Sequence, residues 1–551
     1  MKKLVLAVAA CALLFAQNGV DEATTARIRS EEAEHSQLMR TLHMLTDRYG
    51  PRVTGTPGHE AAAKYLVEQL TGWGFKNAHL EPWEFGHPGW TNERASGFLV
   101  SPVKENLKFE VLAWTASTRG PVTASTVEIA PPQGPEIPVS PQAAAMMAQF
   151  GGGGRGPQRQ GPTKEEFATW LASVRGGVKG KAVLVGKQTV VPVNFNPVAT
   201  RRPEEQVRSQ YDPNNPNAGR GGFGGRGGRG PSDPNRMTAA QVSDAIDEML
   251  LQEGAAMRIN DAARGEGVIV AQQNRAYDPA KTVPTVILRN DDYGRIERLL
   301  ADGDEVKVEF DILNKTYPEG KTSYNVIAEI PGTDKADEVV MLGGHLDSWH
   351  AGTGATDNAI GSSIMVEAAR LIQALGLKPR RTIRVALWSG EEQGLLGSLA
   401  YVKQHFGSFE DPKPEFSKLD CYFNVDTGTG RLLGASVFGP PEAAAALRPV
   451  LALFRDWGMA GAMPTTSRVV AGTDSTSFNN AGLPGIGMQQ DPIEYNTMTH
   501  HTNLDTYERI IPEDVTHAAV VISAAVWNVA NQDHMIPRLS PQQMPAPVAP
   551  R

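Results

Sequence analysis

Residues 339–348 read Val339-Val340-Met341-Leu342-Gly343-Gly344-His345-Leu346-Asp347-Ser348. The apolar run makes a short buried strand, and its end delivers an imidazole and then a carboxylate. Further acids follow in turns. Asp357-Asn358 stands directly before a helix-patterned run, Glu391-Glu392 follows the apolar stretch Ile383 to Trp388, and Asp426 follows Tyr422 to Val425. His501 lies in the polar loop Thr499 to Asp505. Two imidazoles, two single carboxylates and a Glu pair are what a two-zinc hydrolase requires. Zinc takes histidine nitrogen and carboxylate oxygen, and a catalytic site leaves a position open for water. Two such ions share a water and hold both ends of a displacement.

Outward from this stretch, residues 320–530 alternate strand and helix. Val326 to Ile330, Val339 to Leu342, Ile383 to Trp388, Tyr422 to Val425 and Gly485 to Met488 read as strands. Gly361 to Leu375 reads as a helix with Ile364, Ala368, Leu371, Ile372 and Leu375 on one face. Near-continuous apolar strands between amphipathic helices predict an α/β sheet covered on both sides. Sites in such sheets lie at the carboxyl ends of strands.

The chain before this region divides in two. Leu38, Leu42, Met44 and Leu45 give a helical face, Tyr49-Gly50-Pro51-Arg52 breaks it, and a second helix starts at Thr56-Pro57. A strand is expected over Ala78 to Phe85. From about residue 111 to 312 the pattern is that of a small inserted β-rich domain. Lys181 to Val185, Gly267 to Val270, Val283 to Leu288 and Val306 to Ile312 read as its strands, and Gln241 to Glu253 as a helix. Gly-rich stretches at 151–162 and 212–235 bury no core and are expected to be loops. The Pro- and Gln-rich end, 536–551, is expected to be a disordered tail. The α/β part is thus expected over 25–110 together with 313–535.

The net charge of −8 and a pI of about 5.9 argue against nucleic-acid binding. That includes an RGG-type RNA contact by the Arg-Gly steps near Arg220 and Arg226. Met1-Lys2-Lys3 and the apolar run Leu4 to Ala16 read as a secretory signal over residues 1–16. The run is too short to span a bilayer, so a secreted or periplasmic protein without a transmembrane segment is expected. Cys11 stands in a possible lipoprotein box, but a cut there would leave a very short apolar region. Cys421 would then be the lone mature cysteine, with no intramolecular disulfide to make.

Taken singly, each site residue has an ordinary reading. His345 could be a buried core histidine, Asp357 a helix N-cap, Glu391-Glu392 an acidic pair at a helix start, Asp426 a turn residue and His500-His501 part of a polar loop. Together and in this order they are far more specific. Asp347 is placed to help hold a ring nitrogen of His345. Adjacent carboxylates split roles, one on metal and one as general base.

The motifs Gly344-His345-Leu346-Asp347-Ser348, Asp357-Asn358 with Gly361, Gly390-Glu391-Glu392-Gln393-Gly394, Asn424-Val425-Asp426 and His501-Thr502-Asn503-Leu504-Asp505 resemble those of the M28 metallopeptidases. The run Tyr49 to Gly58 and the segment Asp474 to Gly485 are similar too. The branch most alike is that of carboxypeptidase Q, in which a protease-associated (PA) domain is inserted before the metal residues. The resemblance implies a mixed-sheet, three-layer α/β zinc exopeptidase domain, phosphorylase/hydrolase-like, with a PA-like β-rich insert. It implies two Zn2+ ions, one on His345 and Asp426 and the other on Glu392 and His501, with Asp357 between them. Glu391 would be the general base and Asp347 would orient His345. His500 stands where secreted aminopeptidases commonly carry a Tyr that holds the oxyanion, and its N–H would do the same work.

The resulting expectation is a secreted dizinc exopeptidase acting on peptides from the N-terminus, as an aminopeptidase or dipeptidase. Asp347, Asp357, Glu391, Glu392, Asp426, Asp474, Asp491, Glu494 and Asp505 crowd the catalytic segment, and some are left over to hold an ammonium group. A carboxypeptidase on the same scaffold is the alternative, with Arg468 as the candidate carboxylate holder. A one-zinc glutaminyl cyclase and a non-catalytic binding protein are the other readings. The full ligand set and the base disfavour both.

Overall fold

The computed structural model describes residues 20–137, 159–215, 233–470 and 472–548. The signal segment 1–16 and most of both Gly-rich stretches lie outside them. The strands in chain order are β1 (Lys76–Glu84), β2 (Gly89–Ser101), β3 (Glu105–Asn106), β4 (Phe109–Val111), β5 (Val122–Ile129), β6 (Ala182–Val185), β7 (Met257–Asp261) and β8 (Thr285–Leu288). They continue as β9 (Lys307–Tyr317), β10 (Thr322–Ile330), β11 (Lys335–His345), β12 (Arg381–Trp388), β13 (Leu419–Val425), β14 (Leu432–Phe438), β15 (Gly461–Thr465) and β16 (Gly485–Gln490).

Two mixed eight-stranded sheets result. The first runs β1-β10-β12-β11-β13-β16-β14-β15. Its centre is parallel: β11 pairs in parallel with both β12 and β13, and β13 with β16. The antiparallel pairs lie to either side, β1 with β10, β10 with β12, and β14 with β16. The parallel strands are buried on both faces, which is why they read as unbroken apolar runs. On one face, helix Ile360–Ala374 and helix Pro512–Asn531 pack with Leu342, Val385 and Phe423 into one core. On the other, Trp388, Tyr422, Phe478 and Tyr401 form a second. Each fully buried large aliphatic side chain contributes about 1.5–3 kcal/mol. This α/β domain with helices on both faces fits the expected fold class.

The second sheet runs β3-β2-β9-β5-β6-β7-β8-β4. It departs from the expected 111–312 insert at both ends. β2 begins at Gly89 and pairs antiparallel with β9 as far as Tyr317. β2 is polar and carries no shift in composition at its start, so only its long-range pairing with β9 reveals the sheet it joins. Gly267 to Val270 is not a strand of this sheet. It runs as an extended loop whose Val270 forms an isolated bridge with Thr502, and β7 lies before it. β14 and β15 are strands that the sequence pattern did not mark.

The end of the chain also differs from the expected disordered tail. Ile536 and Leu539 are buried. Ile536 N donates to Asp420 Oδ1 at 2.8 Å, Arg538 donates to the Phe416 and Leu419 carbonyls, and the Pro545 carbonyl accepts from Arg468. Two apolar side chains and an arginine give 536–548 the partners that its Pro-rich composition hid. Among the described residues no helix is long and apolar enough to cross a membrane.

Candidate metal centre

Every candidate ligand stands where a strand of the first sheet ends or in a loop that returns to that edge. His345 is the last residue of β11, and Asp426 follows β13 directly. Glu391 and Glu392 lie in the turn after β12. Asp357 sits just before helix Ile360–Ala374, with its own backbone out of helical range (φ −134°, ψ 86°) and a cis bond to Asn358. Asn358 closes this turn. Its amide donates to the Val425 carbonyl at 2.9 Å, and its Oδ1 accepts from Gly361 N at 3.0 Å. A Cβ at Gly361 would come within 2.1 Å of that Oδ1, so only glycine fits there.

Asp357 lies between the two imidazoles. Its Oδ1 is 3.2 Å from His345 Nε2, and its Oδ2 is 3.2 Å from His501 Nε2. Asp426 Oδ1 is 3.2 Å from His345 Nε2, and Glu392 Oε2 is 2.8 Å from His501 Nε2. Glu391 Oε2 stands 4.0 Å from His345 Nε2. The structure therefore brings together all five residues expected as ligands, with Glu391 beside them. Two clusters of ligand atoms lie within 4.8 Å, His345 with Glu391 and Asp426, and Asp357 with His500 and His501.

Asp347 sits beneath His345. Its backbone carbonyl accepts from His345 Nδ1–H at 3.0 Å, which leaves Nε2 facing Asp357 and Asp426. Its carboxylate accepts from Thr54 Oγ1 at 3.0 Å and from the Glu391 and Glu392 amides at 3.3 Å each. Asp505 does similar work for the bridge, accepting from Thr356 N at 2.6 Å and Asp357 N at 3.1 Å. His500 is the most open of these groups, with 43% of its side chain exposed. It stacks on Tyr495 and lies against His501.

The charge balance calls for cations. Burial pushes the Glu391 carboxyl well above its ordinary range, and Asp426, Asp474 and Glu392 push it further. Glu392 is raised by burial and by Asp357. Asp426 is also raised by burial. Burial opposes charge on His345, but Asp426, Glu391 and the hydrogen-bonding carboxylates outweigh it and hold the ring protonated. Asp357 resists its own burial because His345, His501 and His500 hold it low. Asp357 Oδ2 and Glu392 Oε1 are buried without a hydrogen-bond partner among the described residues. A buried, acid-rich, nitrogen- and oxygen-donor set with carboxylate oxygens that lack hydrogen-bond donors fits divalent zinc, and loading it displaces the extra proton.

Sequence reasoning gave no role to several residues that build this site. Arg52 is fully buried and donates to the Leu346, Leu45, Thr353 and Gly354 carbonyls at 2.7–2.9 Å. Burial lowers its guanidinium to about 10, against the pull of Asp505 and Asp347. Thr54 and Asn358 stood in quoted motifs without a role, and Gln272 was not singled out. The break at Tyr49 to Gly58 was the one local signal for Arg52 and Thr54. Gln272 had none, because it arrives from the loop between β7 and β8.

Arg468 is not a free cation. It is buried and donates to Glu410 at 2.6 and 2.9 Å and to the Asn480 carbonyl. Of the surplus acids, Asp491 accepts from Arg202 N, Glu494 pairs with Arg509, and Asp505 is occupied as above. Asp474 is buried with both oxygens lacking a hydrogen-bond partner among the described residues.

Residues 325–526 match the model of Peptidase family M28. The chain is 25% identical over 539 residues to carboxypeptidase Q of Mus musculus, covering 95% of each chain. Among solved structures it is similar to a Peptidase M28 precursor from Shewanella amazonensis SB2B, at a TM-score of 0.62 and 22% identity, over 94% of this chain and 98% of that one. It is also similar to a zinc aminopeptidase from Bacillus subtilis, at a TM-score of 0.52 and 16% identity, over 92% and 98%.

Proposed function

Residues 325–526 being a peptidase family M28 domain, we propose that this metallopeptidase is a dizinc exopeptidase that hydrolyses the peptide bond next to a free N-terminus. One observation carries the two-ion reading. Asp357 presents one oxygen to each imidazole at 3.2 Å, the arrangement of a bridging carboxylate. One ion would be held by His345, Asp426 and Asp357, the other by Glu392, His501 and Asp357. When bound, the two ions supply Lewis acidity toward the scissile carbonyl and bring the pKa of water toward neutrality.

The chain's own residues do the rest. Glu391 takes the proton from the attacking water and returns it to the leaving amine. Its buried, acid-flanked carboxyl is suited to hold that proton between the two steps. Asp347 keeps His345 in the tautomer that offers Nε2. His500, exposed and stacked on Tyr495, offers an N–H to the carbonyl oxygen as negative charge develops there. The sheet containing β2 and β9 is read as the PA-like insert, and the basic, apolar start of the chain as an export signal.

The direction of attack rests on the field of the site. Asp347, Asp357, Glu391, Glu392, Asp426, Asp474 and Asp505 surround it, more negative charge than two divalent ions would neutralise, and opposite charge orients an ammonium group in a low-dielectric cleft. Arg468, spent on Glu410, is no rival holder for a carboxylate. A second reading, C-terminal attack, has an observation in its favour. Arg264 donates to the Asn496 carbonyl at 3.4 Å and adds to burial and His501 in disfavouring protonation of His500, and the mouse relative is named a carboxypeptidase.

Peptides blocked at one end decide between the two. N-acetylation should abolish cleavage, and C-amidation should matter little for peptides longer than two residues. The reverse pattern would overturn N-terminal attack, and dependence on both ends would mark a dipeptidase.

A further inference from the structure

We propose that Gln272, a residue of the second-sheet domain, is the positioning residue that sets the ring tautomer of His501, so that this domain tunes zinc affinity at the His501 side of the site. The inference rests on the reading of His501 as a zinc ligand. Gln272 Nε2 lies 2.9 Å from His501 Nδ1. The opposite ring nitrogen faces Glu392 Oε2 at 2.8 Å and Asp357 Oδ2 at 3.2 Å. A ligating histidine uses one nitrogen for the ion, and the partner of the other nitrogen decides the tautomer. For His345 that partner is the nearby Asp347 carbonyl. For His501 a partner comes from the other domain.

The base from which Gln272 reaches is firmly held. Its backbone carbonyl accepts from Ala113 N at 3.0 Å, and Asn274 N donates to the Ala113 carbonyl at 2.8 Å. Ala271 is fully buried. The same loop is tied to the His501 loop itself. Ile269 N donates to Asn503 Oδ1 at 2.8 Å, Asn503 N donates to the Ile269 carbonyl at 3.1 Å, and Asn503 Nδ2 donates to the Gly267 carbonyl at 3.2 Å. His501 itself has a left-handed backbone (φ 62°), and these hydrogen bonds fix the loop that carries it.

An amide suits this post because it carries a donor and an acceptor on one planar group. With the amide nitrogen toward His501 Nδ1, the ring proton sits on Nε2 and goes to Glu392. With the amide turned over, its oxygen accepts from Nδ1–H, and the Nε2 lone pair is free for a cation. The same contact then serves the metal-free and the loaded site, and a half-turn of the Gln272 amide accompanies loading.

Zinc affinity by chelator competition, with the melting temperature of the metal-free protein, tests this. Gln272→Met keeps the length but removes both donor and acceptor. It should weaken one of the two zinc sites about 10–100-fold and lower the metal-free melting temperature no more than Gln272→Glu does. Gln272→Glu, which offers an acceptor, should hold zinc at least as tightly as the native protein. Native affinity in Gln272→Met would overturn the proposal. So would an equal loss of zinc affinity in both variants, which would mark a merely structural contact. His501→Ala separates the layers. If it keeps both zincs, the ligand reading fails and this inference with it. If it loses one while Gln272→Met binds natively, only the Gln272 inference fails.

Discussion

Asp347→Asn isolates what the buried acid beneath His345 contributes. The substitution keeps shape and removes one acceptor oxygen and the charge. In the native site the two carboxylate oxygens accept from Thr54 Oγ1 at 3.0 Å and from the Glu391 and Glu392 amides at 3.3 Å. Oδ1 serves Glu391, and Oδ2 serves Thr54 and Glu392. Whichever oxygen becomes the amide nitrogen then faces at least one N–H or O–H as donor against donor. Hydrogen bonds to a charged group are worth about 1.5–3 kcal/mol, so losing one corresponds to roughly 10–100-fold in an equilibrium constant. The loss falls on the loop that holds Glu391 and Glu392 at the site. Zinc affinity by chelator competition should therefore fall about 10–100-fold, and kcat at saturating zinc should fall as well, since Glu391 is displaced. The His345 contact to the Asp347 backbone carbonyl survives, so zinc binding should be weakened and not abolished. Affinity and kcat both within twofold of native would refute the reasoning.

Other outcomes follow from the same geometry. Glu391→Gln should retain its zinc and lose about 10²–10⁴ in kcat; turnover near native would assign the proton transfer elsewhere. Arg52→Ala leaves the Leu45, Leu346, Thr353 and Gly354 carbonyls without their donor and should cost about 3–5 kcal/mol in urea unfolding, with a cost under about 1 kcal/mol counting against a bracing role. Arg468 holds the Glu410 carboxyl down to about 2, against an ordinary 4.5. The unfolded chain therefore takes up that proton first, and the stability it confers is full above about pH 4.5 and lost as pH falls through about 2. Glu410→Gln should flatten that part of the acid limb, and an unchanged limb would remove Arg468 as the cause.

The first sheet was legible because its parallel strands are buried on both faces, so Val339 to Leu342 and Ile383 to Trp388 read as unbroken apolar runs. Their carboxyl ends then located His345, the Glu391-Glu392 turn and Asp426. The edges were harder to read. β2 is polar, and its place beside β9 depends on a pairing across more than two hundred residues of chain. The tail looked loose because composition says nothing of a partner such as the Asp420 carboxylate that receives Ile536 N. At the site, metal-binding residue types announce themselves by chemistry, whereas Arg52, Thr54 and Gln272 act only through backbone carbonyls, a carboxylate and a ring nitrogen brought to them by the fold. Acid content alone overstates the free carboxylates for the same reason. Asp491 and Glu494 already have partners, which no sequence spacing could show.

The central claim is that two zinc ions sit on either side of Asp357. Anomalous scattering at the zinc edge from crystals of the zinc-loaded protein tests it most directly. Two peaks are expected, one beside His345 and Asp426 and one beside Glu392 and His501, each within bonding distance of one Asp357 oxygen. A single peak would favour a one-zinc, cyclase-like chemistry, and peaks away from Asp357 or none at all would contradict the dizinc peptidase account.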